Sequence, residues 1–276
     1  KIKNIVLEII KERPDKIFFE IIFESILDSK LKKNSLEALH RLPRIFSQKK
    51  LKLILENPKS DRYTLVEILK FGNTIFDKTY INQLLLFLEH NDSKILSEAS
   101  NAIILLAKKE DLDTYTHKQI DEKIEHISKK ALVLYFLKLN LLKQNNTTLL
   151  LHEIENEIQI FIICLVKLGT LKNSKIPLEK YIRYVESKNK NFLPVILELI
   201  DTTFSNKSKS ILLPLLDEDL ILDLENRRDY DIDKVNEEAI LKNWVENNIN
   251  WKKVITLDYL IENEKTKILK KINWDL

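Results

Sequence analysis

The sequence predicts an all-α chain, built as a stack of antiparallel helix pairs. Three observations predict it. The 276 residues contain two glycines, Gly72 and Gly169, and six prolines, where average usage is about 7% glycine and 5% proline. A chain so poor in turn-formers has little use for hairpins or bulges. Apolar residues recur at i, i+3, i+4 and i+7 almost throughout, the helical period rather than the strand period of two. Short polar interruptions separate the apolar stretches: Asn57-Pro58-Lys59-Ser60, His90-Asn91-Asp92-Ser93, Gln144-Asn145-Asn146-Thr147, Lys172-Asn173-Ser174 and Ser205-Asn206-Lys207-Ser208.

Taken in order, the pattern places helices near 2–12, 15–29, 32–47, 48–56, 61–76, 78–90, 93–109, 114–127, 129–143, 147–169, 177–187, 190–204, 206–215, 217–227, 234–247, 250–262 and 264–271. Ile17, Phe18, Ile21, Ile22, Ser25 and Ile26 form the apolar face of the second. Leu65, Ile68, Leu69 and Gly72 form that of the helix at 61–76, with Gly72 at a close helix contact. Leu84, Leu85 and Leu88, followed by Ile95, Leu96, Ala99, Ala102, Ile103 and Leu106, make a helix pair. Asp92 is placed to cap the second member of that pair, and Asp15 and Asp61 are placed as caps for theirs. Gly169 ends the long apolar helix and reads as its C-terminal cap. Helix pairs at intervals of some 30 to 45 residues mark an α-solenoid, and small residues at Ala38, Ala99 and Ala102 let inner helices approach closely.

The stretch Ile81 to Ile103 resembles a HEAT repeat. A leucine-rich outer helix, a polar turn with Asp92 and an inner helix with Ala99, Ser100 and Ala102 follow in that order. The family often carries Val-Arg early in the inner helix, where this chain has Ile95-Leu96. The resemblance covers residues 15–110 and extends loosely to the rest. It implies a right-handed α-α superhelix, a HEAT-like solenoid occupying residues 1–276 as one domain, with sub-boundaries at 144–147 or 170–176 as the alternatives. A second, fainter pattern runs from Phe192 to Asp201 and from Ile211 to Glu218. It resembles helix pairs in bacterial fusion proteins that join a nucleotide-translocase-like membrane domain to a HEAT-like array. The two resemblances imply a bacterial, cytoplasmic, non-catalytic scaffold for protein–protein interaction, membrane-associated through a parent protein involved in nucleotide transport. The chain starts at Lys1 and contains no methionine, which reads as a segment excised or processed from something longer.

Composition sets the exclusions. Hydrophobic residues make up 44% of the chain and charged residues 32%, with a net charge of +3. That suits a substantial core under a solvated surface and is too weakly basic to signal nucleic acid by itself. No uninterrupted apolar run exceeds the seven residues of Ile160–Val166, far short of the ~20 that span a bilayer. The first apolar stretch, Ile5–Ile10, is broken by Glu8 and lacks the form of a signal peptide. The single cysteine, Cys164, lies within the apolar run and reads as a buried core residue of a reducing compartment.

Without clustered glycines there is no phosphate-binding loop, dinucleotide fingerprint or nucleophile elbow. His40, His90, His117, His126 and His152 are scattered. His117 with Asp121, and Glu122 with His126, share helix faces as i, i+4 pairs but supply no third ligand, so no metal site is expected. Asp229, Asp231 and Asp233 resemble the first ligands of a calcium loop, yet no glycine follows and the twelfth position is Ile240. Glu153, Glu155 and Glu157 alternate and would splay apart on a helix. No catalytic residue and no cofactor are expected.

Charge is distributed unevenly. Between Lys30 and Lys52 stand Lys30, Lys32, Lys33, Arg41, Arg44, Lys49, Lys50 and Lys52 against the single acid Glu37. Between Asp217 and Glu238 stand ten acids against Arg227, Arg228 and Lys234. The basic block, together with Trp244 and Trp251, is the expected partner-binding set, the partner being another protein or another domain of the same parent chain. The alternative is a nucleic-acid-binding or base-repair helical repeat that uses the basic block at 30–52. Against it, Trp244, Trp251 and Trp274 stand far from the cations, next to the acids.

Overall fold

A computed structural model describes residues 2–107, 112–142, 144, 147–172, 182–183, 193–216, 236–247 and 251–273, and every regular element among them is helical. The chain divides into two compact units, residues 1–84 with 101–111 and residues 85–100 with 112–276.

The first unit opens with α1 (Ile2–Glu12), which buries Leu7 and Ile10. Asp15 accepts the amide of Ile17 and starts a 3₁₀ turn, Lys16–Phe18, that leads into α2 (Phe19–Ile26). α1 and α2 both pack on α3 (Lys32–Arg41), and α4 (Arg44–Glu56) packs on α5 (Arg62–Ile75). Phe19 anchors the core, stacked on Phe23 at 5.9 Å and edge-on to Phe46 at 5.8 Å. The helix expected over 32–47 is instead broken at Leu42–Pro43, and α4 begins at Arg44. Pro43 biases Leu42 out of the helical region, to ψ 155°, and has no N–H to continue α3. Asp61 caps α5 through the Thr64 amide, as expected, and Asp77 caps the 3₁₀ turn Lys78–Tyr80. The carbonyls at the end of α5 take side-chain donors. Arg44 donates to the Ile75 and Phe76 oxygens at 2.9 and 3.0 Å, and Gln48 to Ile75 O at 2.9 Å.

α6 (Ile81–Leu86), the 3₁₀ turn Phe87–Glu89 and α7 (Ser93–Ala107) form the segment that resembles a HEAT repeat. Asp92 Oδ1 accepts the amides of Lys94 and Ile95, the expected cap. Ala99, Ser100 and Ala102 on α7 are fully buried.

In the second unit, α8 (Thr114–Leu141) and α9 (Thr148–Gly169) form the main antiparallel pair. The break expected near residue 128 does not occur. Ser128 is buried, its hydroxyl donates to Ile124 O at 2.7 Å, and neither glycine nor proline interrupts the segment. α10 (Leu193–Thr203) packs on α9 and on α11 (Asn206–Leu216), and α11 packs on α8. α12 (Glu237–Asn247) and α13 (Trp251–Glu262) pair with each other, α13 lies on α9, and the short α14 (Thr266–Leu269) closes against both. Of the helix expected at 177–187 only residues 182–183 are described, and they are helical. The helix expected at 217–227 and the acidic block up to residue 235, with Asp229, Asp231 and Asp233, fall outside the described residues, as does Trp274.

The two glycines serve packing. A Cβ at Gly72 would stand 2.8 Å from the Phe76 ring, four residues on in the chain. Gly169 is not the left-handed cap expected of it. No glycine has positive φ, and the Phe204 ring after α10 lies where a Gly169 Cβ would be, at 2.5 Å. Cys164 is buried as expected, with Ser100 Oγ 3.6 Å from its sulfur. Burial pushes its thiol up, away from the reactive thiolate.

Candidate functional site

The expected partner-binding residues meet different fates. Lys30, Lys33, Arg41 and Lys49 are exposed. Lys33 and Arg41 stand one helical turn either side of Glu37, whose carboxylate is held low first by its hydrogen bond from Lys11. The other four basic residues serve the fold. Lys32 pairs with the buried Glu67, Arg44 holds the end of α5, and Lys52 pairs with Glu56 at 3.6 Å. Lys50 reaches Glu20 at 3.4 Å with its ammonium 5.8 Å from the Phe19 ring. Trp244 is buried and Trp251 is 63% exposed. A feature the charge pattern did not reveal lies on α1, where Ile2, Ile5 and Ile9 are 78%, 59% and 56% exposed. Their spacing puts them on one face, opposite the buried Leu7 and Ile10.

The second unit contains a cleft of ≈ 390 Å³. One face of α8 supplies His126, Lys129, Lys130 and Val133 at i, i+3, i+4 and i+7. α9 contributes Glu157 and Phe161, α12 contributes Ile240, Asn243 and Trp244, and α13 contributes Lys252. At its base a buried ion pair joins Lys252 Nζ to Glu157 Oε1 at 2.9 Å. Ser93 Oγ donates to the same oxygen at 2.6 Å, and the Lys252 ammonium lies 4.3 Å from the centre of the Trp244 ring. Two buried charges are therefore held by each other, by a hydroxyl and by an aromatic face, the conditions under which a buried pair is tolerated.

The electrostatics of the rim follow from burial. Lys130 is partly buried and donates to two neutral acceptors, Glu89 O at 2.8 Å and His90 O at 3.4 Å. Burial lowers its pKa, partly opposed by the Glu89 carboxylate. Burial and then Lys130 hold the His126 imidazole below its ordinary value, with Lys123 and Lys129 adding to them and Glu89 opposing. Its Nε2 is buried without a hydrogen-bond partner. One turn before Glu157 on α9, Glu153 is pushed up by burial and by the Glu157 charge. His117 and Asp121 stay on α8 as read from the sequence, and among the described residues no three His, Cys, Asp or Glu side chains converge on a metal position. Chemically the cleft offers apolar walls and cationic donors, with the His126 side chain on its lining.

These groups come from five separate stretches of sequence. No family model matches this chain, and neither a curated protein nor a solved structure matches it. Glu157 was visible only as one of three alternating glutamates, and Lys252 carried no motif. The available signal was Glu157 itself, set between Ile154, Ile158 and Phe161 on an apolar face. A carboxylate there needs a cation from elsewhere in the fold. No helix among the described residues is long and apolar enough to cross a membrane.

Proposed function

We propose that the chain is a HEAT-like helical scaffold that binds another protein, or another domain of a parent chain, and catalyses nothing. The observation that carries this reading is the α1 face of Ile2, Ile5 and Ile9, three large aliphatic side chains in helical register and more than half exposed. Apolar area left in water at such spacing suits helix-on-helix docking. The exposed Lys30, Lys33, Arg41 and Lys49 would favour a partner with acidic rim residues. In the cleft of the second unit, the titratable groups at the base are held in an ion pair, which suits binding better than proton transfer. The wider reading, that the chain is the soluble arm of a transporter-like protein, rests on the fainter of the two sequence resemblances.

The test is site-specific photocrosslinking in cells, with a benzophenone side chain at Ile5 or Ile9 and a control at the exposed Lys270. The account expects one discrete protein adduct from α1 and none from the control. The same exposed cations favour the nucleic-acid alternative, so duplex DNA is titrated in parallel. Tight, salt-dependent binding that is lost when Lys30, Lys33, Arg41 and Lys49 become glutamine, with no α1 adduct, would replace the scaffold reading.

A further inference from the structure

We propose that the cleft between α8, α9, α12 and α13 is a binding site for a small amphipathic carboxylate, a single anionic head on an apolar body. This goes beyond the scaffold reading and does not depend on it. The volume, ≈ 390 Å³, falls in the range that takes one small molecule, whereas a peptide segment needs an extended groove. The walls match an apolar body. Val133, Leu134, Phe161, Ile240 and Trp244 all line the space, and Val133 remains 39% exposed.

The charge balance selects the head group. Among the described residues, Lys129, Lys130 and Lys252 line the cleft with one carboxylate, Glu157. Lys252 and Ser93 already occupy Glu157, and Lys129 is paired with Glu125 at 2.6 Å, which leaves Lys130 as the lysine held by neutral acceptors. Lys130 is the cation with most to gain. It is partly buried, its present acceptors are two neutral carbonyls, and an ammonium has a third proton to donate. A carboxylate beside it would convert a dipole-held cation into a charge-assisted pair. His126 lines the same space, one turn before Lys130 on α8. Among the described residues that line the cleft there is no arginine to supply the planar two-point grip that favours phosphate groups, and a monoanion is the better match.

Isothermal titration of the full chain with sodium octanoate, 1-octanol, sodium acetate and a short peptide ending in a free leucine carboxylate tests the proposal. Octanoate should bind at one site, and octanol and acetate should each bind at least about tenfold more weakly, since each lacks one half of the recognition. Lys130→Gln should weaken octanoate about tenfold or more. Val133→Asp, at an exposed position that tolerates a polar side chain, should weaken it further by placing a negative charge against the head group. Circular dichroism of both variants checks that they fold. Absence of octanoate binding, equal binding of octanol, or octanoate affinity unchanged in both variants would overturn the proposal. Tighter binding of the peptide than of octanoate would also overturn it, in favour of a chain terminus as occupant.

Discussion

Removing Lys252 alone should be among the most costly single changes to the second unit. Lys252→Met keeps the length and packing of the side chain but leaves Glu157 buried, with Ser93 Oγ as its remaining partner and Glu153 one turn away. Breaking a buried pair from one side costs about 3–5 kcal/mol, a large part of a typical total stability of about 5–15 kcal/mol. The opposite change, Glu157→Leu, should cost less. Lys252 would keep the Trp244 ring at 4.3 Å, and a desolvated cation–π contact contributes about 2 kcal/mol. That leaves roughly 1–3 kcal/mol of loss. Replacing both, Glu157→Leu with Lys252→Met, removes the two charges together and should come within about 1–2 kcal/mol of wild type. The assay is urea unfolding followed by far-ultraviolet circular dichroism and tryptophan emission, analysed as a double-mutant cycle. A coupling energy of at least about 2 kcal/mol is expected. A loss below about 0.5 kcal/mol for Lys252→Met, as at an ordinary surface site, or strict additivity in the double variant, would refute the reasoning.

Three further outcomes are expected. Burial would raise Glu67, but hydrogen bonds from Lys32 and Lys70 outweigh it and hold the carboxylate below its ordinary value. The pair's contribution is therefore present above the unfolded-state value of about 4.3 and lost as pH falls through the lower folded value. Glu67→Gln should cost about 1–2 kcal/mol near pH 7, with the difference from wild type shrinking over that acid window in urea titrations. Gly169→Ala should destabilise by about 1–2 kcal/mol despite the better helix propensity of alanine, because its Cβ meets the buried Phe204 ring; Phe204→Leu in the same chain should restore part of the loss in thermal melts. Asp61→Ala should cost about 1 kcal/mol through loss of the Thr64 amide and hydroxyl bonds at the start of α5, read as a lowered unfolding midpoint.

Helical class was legible because its signals are local. The amphipathic period, the scarcity of glycine and the caps at Asp15, Asp61 and Asp92 all act within a few residues of where they are read. Errors in the boundaries have identifiable causes. Apolar spacing through Leu36, Leu39 and Leu42 masked the break that Pro43 imposes, and the boundary expected between 127 and 129 falls where nothing in the sequence stops a helix. The role of Gly169 depends on Phe204, 35 residues later, and such a contact leaves no trace in local pattern. The cleft was hidden for the same reason, since Ser93, Lys130, Glu157, Trp244 and Lys252 meet only after α8, α9, α12 and α13 have packed. Lys32, Arg44 and Lys50 looked available for a partner because their acceptors, such as Glu67 for Lys32, lie on other elements of the fold.

The claim that α1 is a protein-docking face is tested most directly on the partner that the Ile5 and Ile9 crosslinks identify. Its affinity for the wild-type chain is compared with that for Ile5→Glu/Ile9→Glu, two substitutions at exposed positions that leave the buried Leu7 and Ile10 untouched. The account predicts a loss of affinity of about a hundredfold, from some 1.5 kcal/mol at each side chain, with far-ultraviolet circular dichroism unchanged. Equal affinity for the two chains would contradict it.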